Sequence, residues 1–369
     1  TNLTGAGLLE TILNSDQSRI ASNLNTHSLF LEGPPGCGKT TTGVAHLSYL
    51  IENGIPLDTI LILVPQRSLA SPYSKALIDP RLPPGGFPSI LTLGGLAQRL
   101  IKLFWPAIAS SAGFQQPNQP PRFLTLETAQ YFMSKITAPL LQEGYFEQVV
   151  IDRNRLFSQI IDNLNKAAVI GISHNEIGER LKSAWAGKTS QTIIYDQAQE
   201  CANRFRKHCL RNNLLDYSLQ IEVFSRHLAN SHLIRSYLIN SYRHLIYDNI
   251  EEDVPISHDF IRDWLPDFDT ALLIYDLGSG YRAFLGADPL YGLSLKNDCS
   301  QVEVLSQSFI MPTEQQILKE TMMKALSHRL EAPPSDDVRK AFSHVHKRFH
   351  TEMIDWVAAH ISEQISEDG

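Results

Sequence analysis

Gly33, Gly36, Gly38, Lys39 and Thr40 stand at a spacing that suits one kind of chemistry, the holding of a polyphosphate. The run Gly33-Pro34-Pro35-Gly36-Cys37-Gly38-Lys39-Thr40 reads G-x-x-x-x-G-K-T. Its glycines allow backbone conformations closed to residues with a Cβ, and they let N–H groups approach phosphate oxygens. Lys39 offers a point charge to the outer phosphates, and the Thr40 hydroxyl is a ligand for Mg2+ that keeps most of its water. Thr41 follows inside the same cradle, and Cys37 is a small residue at a free position. Such a site also needs a carboxylate at the end of a neighbouring strand and a base for the attacking water. His244-Leu245-Ile246-Tyr247-Asp248 is an apolar run closing on an acid, which makes Asp248 the expected metal ligand. Leu272-Leu273-Ile274-Tyr275-Asp276 has the same shape and keeps Asp276 as the alternative.

The elements that must position these residues follow from the pattern. Residues 29–31 are a short apolar run before the loop, and residues 40–53 carry helix formers and close on Gly54. Further strands are expected at 59–64 and 89–93, with an amphipathic helix at 94–105 and a first helix at 7–21. Alternating strands and helices imply an α/β fold with a parallel sheet, whose ligands gather at the carboxyl ends of its strands. Residues 109–121 are crowded with Ser, Gly, Gln, Asn and Pro and mark a boundary. From about 125 to 242 the pattern is helical, with almost no strand signal, and strands return at 245–247 and 271–275. A strand at 302–309, a helix from 313 and a strand-helix pair at 343–348 and 351–365 make an incomplete second α/β layer.

Composition bounds the rest. With 369 residues, two or three domains are expected; 43% hydrophobic and 19% charged residues fit a globular chain. No apolar run approaches the roughly 20 residues that cross a bilayer, and no signal-peptide pattern appears. The expected setting is therefore cytoplasmic, without a membrane partner. Cys37, Cys201, Cys209 and Cys299 lack C-x-x-C spacing, so no disulfide framework, zinc or iron-sulfur site is indicated. The net charge of −7 leaves room for a local basic track only, and Arg204, Arg206, Lys207, His208 and Arg211 form one cluster, either a nucleic-acid contact or a solvated helix face. Phe104, Trp105 and Trp264 are candidates for base stacking, with core packing the alternative.

The order of segments resembles the UvrD/Rep-type superfamily-one DNA helicases over nearly the whole chain. Gly33 to Thr40 stands as that family's first motif, and Gln17 falls where the family keeps its adenine-reading Gln, whose amide offers a donor and an acceptor together. Thr92-Leu93-Gly94-Gly95-Leu96-Ala97-Gln98-Arg99 is similar to its T-F-H-S-L-A-x-R segment, Leu214-Leu215-Asp216-Tyr217 to its L-x-D-F stretch, and Phe284-Leu285-Gly286-Ala287-Asp288-Pro289 to its F-R-G-A-D close. The resemblance implies a RecA-like P-loop NTPase that binds ATP and Mg2+ and moves on single-stranded DNA. It implies DNA contacts at Arg67, Ser68, Thr92 and Arg99. It also implies a first domain split into residues 1–108 and 241–298 by a helical insertion at 109–240, with residues 299–369 opening a second RecA-like domain.

The departures concern hydrolysis. Where the family has D-E-x-Q-D, this chain reads Asp248-Asn249-Ile250-Glu251-Glu252, so Asn249 replaces the catalytic Glu, and an amide cannot take a proton from water. Glu251 or Glu252 substitutes as base if the register shifts. Ser279 aligns with a phosphate-sensing Gln and Ile310 with an expected Arg. Val64-Pro65-Gln66 also resembles the V-P-E-Q of the AddB subunit of AddAB helicase-nucleases, which implies a partner helicase-nuclease subunit. The alternatives to a motor are a nucleotide-gated binding module without turnover and an unrelated P-loop kinase or NTPase.

Overall fold

A computed structural model of the chain describes residues 13–78, 85–188, 192–229, 231–326, 341 and 344–368. By contact the chain divides into one compact unit up to Gln307 and a second from Ser308. The first unit is built on strands β1 (Ser28–Gly33), β2 (Ile60–Leu63), β3 (Ser89–Leu91), β6 (His244–Tyr247), β7 (Thr270–Asp276) and β8 (Gln301–Val304). They form one six-stranded sheet in the order β3-β2-β6-β7-β1-β8, and every neighbouring pair is parallel. Two further strands, β4 (Arg122–Phe123) and β5 (Leu214–Leu215), pair by themselves.

The apolar runs become strands because both faces of the sheet are covered. Leu29, Leu31, Ile60, Ile62, Ile246, Leu272 and Ile274 join one apolar cluster, with Ile20 of helix α1 (Ser15–Ala21) and Leu47, Leu50 and Ile51 of α2 (Lys39–Glu52). The alternate residues Phe30, Leu61, Leu63, Leu245, Tyr247, Leu273 and Tyr275 join a second cluster on the other face. Side chains alternate along a strand, so a run apolar at every position fits only a strand buried on both sides. Helix α3 (Ser71–Ala76) packs against α2.

The second cluster runs without interruption into the helices between β3 and β6. These are α4 (Leu93–Ile108), α5 (Leu126–Gln142), α6 (Arg153–Val169), α7 (Ile177–Ser183), α8 (Ile193–Arg211), α9 (Tyr217–Val223) and α10 (His232–Ser241). The helical stretch thus interrupts the chain between β3 and β6, and it shares one core with the sheet through Leu96, Leu100 and Ile101 of α4 and Leu219 and Ile221 of α9. The strand pair β4–β5, which the helical pattern did not announce, joins the segment before α5 to the segment after α8. After β6 come α11 (Pro255–Trp264) and α12 (Pro289–Ser294), and the second unit carries α13 (Thr313–Leu326) and α14 (His350–Asp368).

Several expectations are corrected. The strand at 302–309 does not open a second domain: it is β8, it ends at Val304, and it pairs with β1. Without it the edge of β1 beside the glycine-rich loop would lack a partner. The break in the chain accordingly falls at 307/308 rather than at 299. Residues 344–348 form no strand, and the expected helix positions 7–12 and 327–332 lie outside the described residues, as does residue 343. Among the described residues no helix is long and apolar enough to cross a membrane.

Part of the basic cluster is internal. Arg206 is buried on α8, 3.1 Å from Asp216 and 3.3 Å from Glu222, and Arg204 pairs with Glu200 at 2.7 Å. Removing one member of a buried pair leaves its partner charged without compensation, so Arg206→Met is expected to lower stability by about 3–5 kcal/mol. A shift of the urea midpoint worth less than ~1 kcal/mol would contradict that role.

Candidate functional site

Sheet order brings three strand ends together. Gly33, the last residue of β1, lies in register with Asp276, the last of β7, and β6, the next strand over, ends at the same edge with Tyr247 in register with Leu273, one residue before Asp248. The Gly33–Thr40 loop leaves this carboxyl edge and enters α2. Gly38 occupies the cap position of α2 at φ 82°, a left-handed conformation that favours glycine, and a Cβ there would collide with the Gln17 amide.

Lys39 folds back under its own loop. Its Nζ donates to Gly33 O at 2.8 Å and Pro34 O at 2.7 Å, lies 3.3 Å from Cys37 Sγ, and meets Asp276 Oδ1 at 2.5 Å. The side chain is 3% exposed. Asp248 is fully buried: its Oδ2 accepts from the Tyr73 hydroxyl at 2.8 Å and its Oδ1 from Asn249 N at 2.8 Å, with the Thr40 hydroxyl beside the carboxylate. Burial pushes its pKa up to about 6, against the opposing pull of Tyr73, Thr40 and Asn249 N. Both strand-end acids thus belong to the site, Asp248 on Thr40 and Asp276 on Lys39. The sequence pattern had set them as alternatives.

The two following glutamates part company. Glu251 points inward, 1% exposed, with Oε2 accepting from Asp276 N at 2.9 Å. Burial raises its pKa to about 7, and the neighbouring charges of Asp276 and Asp248 act in the same direction. Glu252 instead accepts the backbone N–H groups of Gly280 (3.2 Å), Tyr281 (3.0 Å) and Arg282 (3.1 Å), which caps the turn at Tyr281–Leu285. Glu252 is therefore a structural cap and not a base. Asn249 takes a left-handed conformation at φ 60°, which its short polar side chain tolerates.

Other expected site residues have other work. Gln17 is buried, and its amide is committed within the protein: Oε1 accepts from Asn14 N at 3.0 Å to close a capping box, and Nε2 donates to Cys37 O at 3.1 Å. It braces the loop from behind rather than presenting an edge to adenine. Thr92 caps α4 by accepting from Gly95 N at 3.0 Å, and Arg99 bonds Ser89 Oγ at 3.0 Å and the Tyr242 hydroxyl at 2.9 Å. Both hold β3 to the helices. Arg67 and Ser68 lie exposed in the turn Arg67–Ala70 after β2. Trp105 and Trp264 are buried, with Trp105 Nε1 donating to Gln119 O, so neither can stack on a base. Phe104 packs edge-on against Tyr237. Ser279 is half-buried in the turn after β7, and Ile310 is exposed in the second unit.

Oxygen chemistry at the strand ends suits a hard cation. Asp248, Glu251 and Asp276 repel one another electrostatically, and Thr40 adds a hydroxyl on the Asp248 carboxylate. Mg2+ takes one or two protein oxygens, with water and phosphate completing its octahedron, so Thr40 and Asp248 fit it. Among the described residues no cluster of three or more His, Cys, Asp or Glu side chains forms a metal cage. A cavity of about 370 Å³ lies away from these residues, lined by His174, Asn203, Arg206 and Lys207 among others. Comparison with protein-family models and with curated proteins finds no match for this chain.

Proposed function

We propose that the chain is a helicase-type ATPase of the UvrD/Rep-like kind: a RecA-like P-loop NTPase that binds ATP with Mg2+ and couples the nucleotide to movement on single-stranded DNA. The observation that carries this reading is the convergence of Lys39 and Thr40 with Asp248 and Asp276 at the carboxyl edge of a parallel sheet. In this reading the loop N–H groups of residues 33–41 and the Lys39 ammonium hold the phosphates, and Thr40 and Asp248 hold Mg2+. Lys39 exchanges its contact with Asp276 for phosphate oxygens. The cation supplies charge neutralisation at the outer phosphates. Glu251 is the group suited to take a proton from water, because a pKa of about 7 lies close to working pH.

A second reading has its own support. Asn249 stands where the resemblance calls for the base, and the Glu251 carboxylate is already bonded to the β7 backbone, so a nucleotide-gated module that binds without turnover, in the manner of a degenerate AddB-like subunit beside a partner helicase-nuclease, remains the alternative. Titration with a fluorescent ATP analogue and Mg2+ tests the site. Phosphate release with and without single-stranded DNA then separates the readings: stimulated turnover supports the motor, and binding without turnover supports the module. No nucleotide binding by the wild type would refute both.

The exposed turn after β2 makes a separable expectation. Arg67→Ala should weaken single-strand binding several-fold and flatten its salt dependence by about one unit of slope, with stability unchanged. Arg99→Ala should instead lower stability, because Arg99 holds Ser89 and Tyr242. Fluorescence anisotropy at two salt concentrations checks the first, and thermal unfolding the second. Equal loss of DNA binding in both variants would contradict the distinction.

A further inference from the structure

Tyr73 is a buried titratable group that the chemistry above does not use. It lies on α3, just beyond the Arg67–Ala70 turn, and its side chain is fully buried where α3 packs on α2. Its hydroxyl reaches Asp248 Oδ2 at 2.8 Å, the oxygen not engaged by Asn249 N. Core tyrosines are common, but this one belongs to an otherwise apolar cluster and ends on a carboxylate. A phenylalanine would fill that cluster as well, so packing alone does not call for the hydroxyl.

The path to Asp248 depends on a missing atom. Gly43 lies one turn into α2, and a Cβ there would collide with the Tyr73 hydroxyl, with Ile274 Cδ1 as the next neighbour. Glycine inside a helix costs about 0.5–1 kcal/mol relative to alanine. Here the missing Cβ leaves the space that the Tyr73 hydroxyl occupies on its way to Asp248. Gly43 and Tyr73 are therefore one device, a glycine window and the phenol that passes through it.

We propose that Tyr73 is a positioning residue, admitted by Gly43, that fixes the Asp248 carboxylate in the orientation required to hold a divalent cation together with Thr40. The inference rests on the nucleotide-site reading above. A carboxylate with two free oxygens can rotate about its last bond. Asp248 is held at Oδ1 by Asn249 N and at Oδ2 by Tyr73, so both oxygens are fixed and the carboxylate plane cannot turn freely. Partners behind a metal ligand set its orientation, and losing one commonly costs 10- to 100-fold in metal affinity. The phenol donates and takes no part in proton transfer, since burial beside a carboxylate drives its own pKa far up.

The test uses the whole chain, Mn2+ as a spectroscopic probe and a fluorescent ATP analogue. Tyr73→Phe is expected to weaken Mn2+ binding in the presence of nucleotide about 10-fold or more by electron paramagnetic resonance, while metal-free nucleotide affinity stays within about twofold. Gly43→Ala should reproduce that loss with the tyrosine still present. The double variant should be no worse in Mn2+ affinity than Tyr73→Phe, because without the hydroxyl the added methyl has nothing polar to displace. Wild-type Mn2+ affinity in Tyr73→Phe, with nucleotide binding intact, would overturn the positioning role and leave the nucleotide site standing. A wild type that binds neither nucleotide nor Mn2+ would overturn both. Equal loss of metal-free and metal-dependent binding would mean that Tyr73 only supports the fold, which also overturns the proposal.

Discussion

Lys39→Ala is expected to abolish measurable nucleotide binding. The ammonium is buried and already fitted between two loop carbonyls and Asp276, so the protein has borne the cost of desolvating it before any phosphate arrives. Truncating one partner of a buried charged pair typically costs about 2–5 kcal/mol, which corresponds to roughly 30- to 5,000-fold in dissociation constant. The loss should be larger than the side chain's own contact, because Asp276 would then face an incoming polyphosphate without the ammonium that neutralises it. Lys39→Arg should not rescue it. A planar guanidinium cannot replace a compact ammonium between Gly33 O and Pro34 O, and its wider head would press on the buried Cys37. Titration of each variant with a fluorescent ATP analogue and Mg2+ reads the effect directly. Affinity for the alanine variant within about threefold of wild type would remove the loop from the site.

The parts of this site that the amino-acid sequence disclosed are those in which chemistry and spacing coincide locally. The glycine-rich loop, Lys39 and Thr40 are contiguous, and each apolar run closing on an acid announced a strand with a carboxylate at its end. What was not legible depended on register across the sheet. Asp248 and Asp276 looked like rivals because their segments have the same shape. Only the order β6-β7-β1 reveals that the two acids lie together on one side of the loop, Asp276 on Lys39 and Asp248 beside Thr40. The division between Glu251 and Glu252 was equally hidden: adjacent residues in a turn point apart, and which one turns inward is decided by whether the backbone of β7 or that of the 280–282 turn is there to be bonded. Gln17, Thr92 and Arg99 were expected as ligand contacts because they fall at the helicase-like motif positions. The same groups serve as caps and struts, and sequence offers no sign of which duty they have. Tyr73 lacked any signal at all, since a tyrosine in a short helix is ordinary until its partner is known. Asp253, the next acid after Glu252, is also buried and accepts from the Tyr247 hydroxyl at 2.8 Å and Ser257 Oγ at 2.9 Å, which its sequence neighbours do not announce.

The second large effect concerns Glu251. If turnover occurs, Glu251→Gln should reduce it by roughly 10²- to 10⁴-fold, the usual share of a general base, with nucleotide affinity held within about threefold. The amide oxygen can still accept the Asp276 N–H, so the local geometry survives and only the proton acceptor is lost. Stability gives an independent check with the sign fixed in advance. Burial raises Glu251 from the ordinary 4.5 to about 7 and Asp248 from 3.8 to about 6, so both bind their protons more tightly folded than unfolded. Between these values the folded chain keeps protons that the unfolded chain has released, and the stability of the nucleotide-free protein must fall as pH rises through that window. Glu251→Gln removes one of the two groups, so its melting temperature should decline less between pH 5 and pH 8 than that of the wild type, and at pH 8 it should match or exceed it. Glu252→Gln should leave turnover largely intact, because its carboxylate is occupied by three backbone donors outside the site. Asn249→Glu, which restores the residue that the helicase resemblance calls for, places a long side chain in a left-handed conformation that costs about 1–2 kcal/mol, and no gain in turnover is expected from it. If Asn249→Glu accelerates phosphate release and Glu251→Gln leaves it unchanged, the proton is taken at position 249 and not by the buried glutamate beside Asp276.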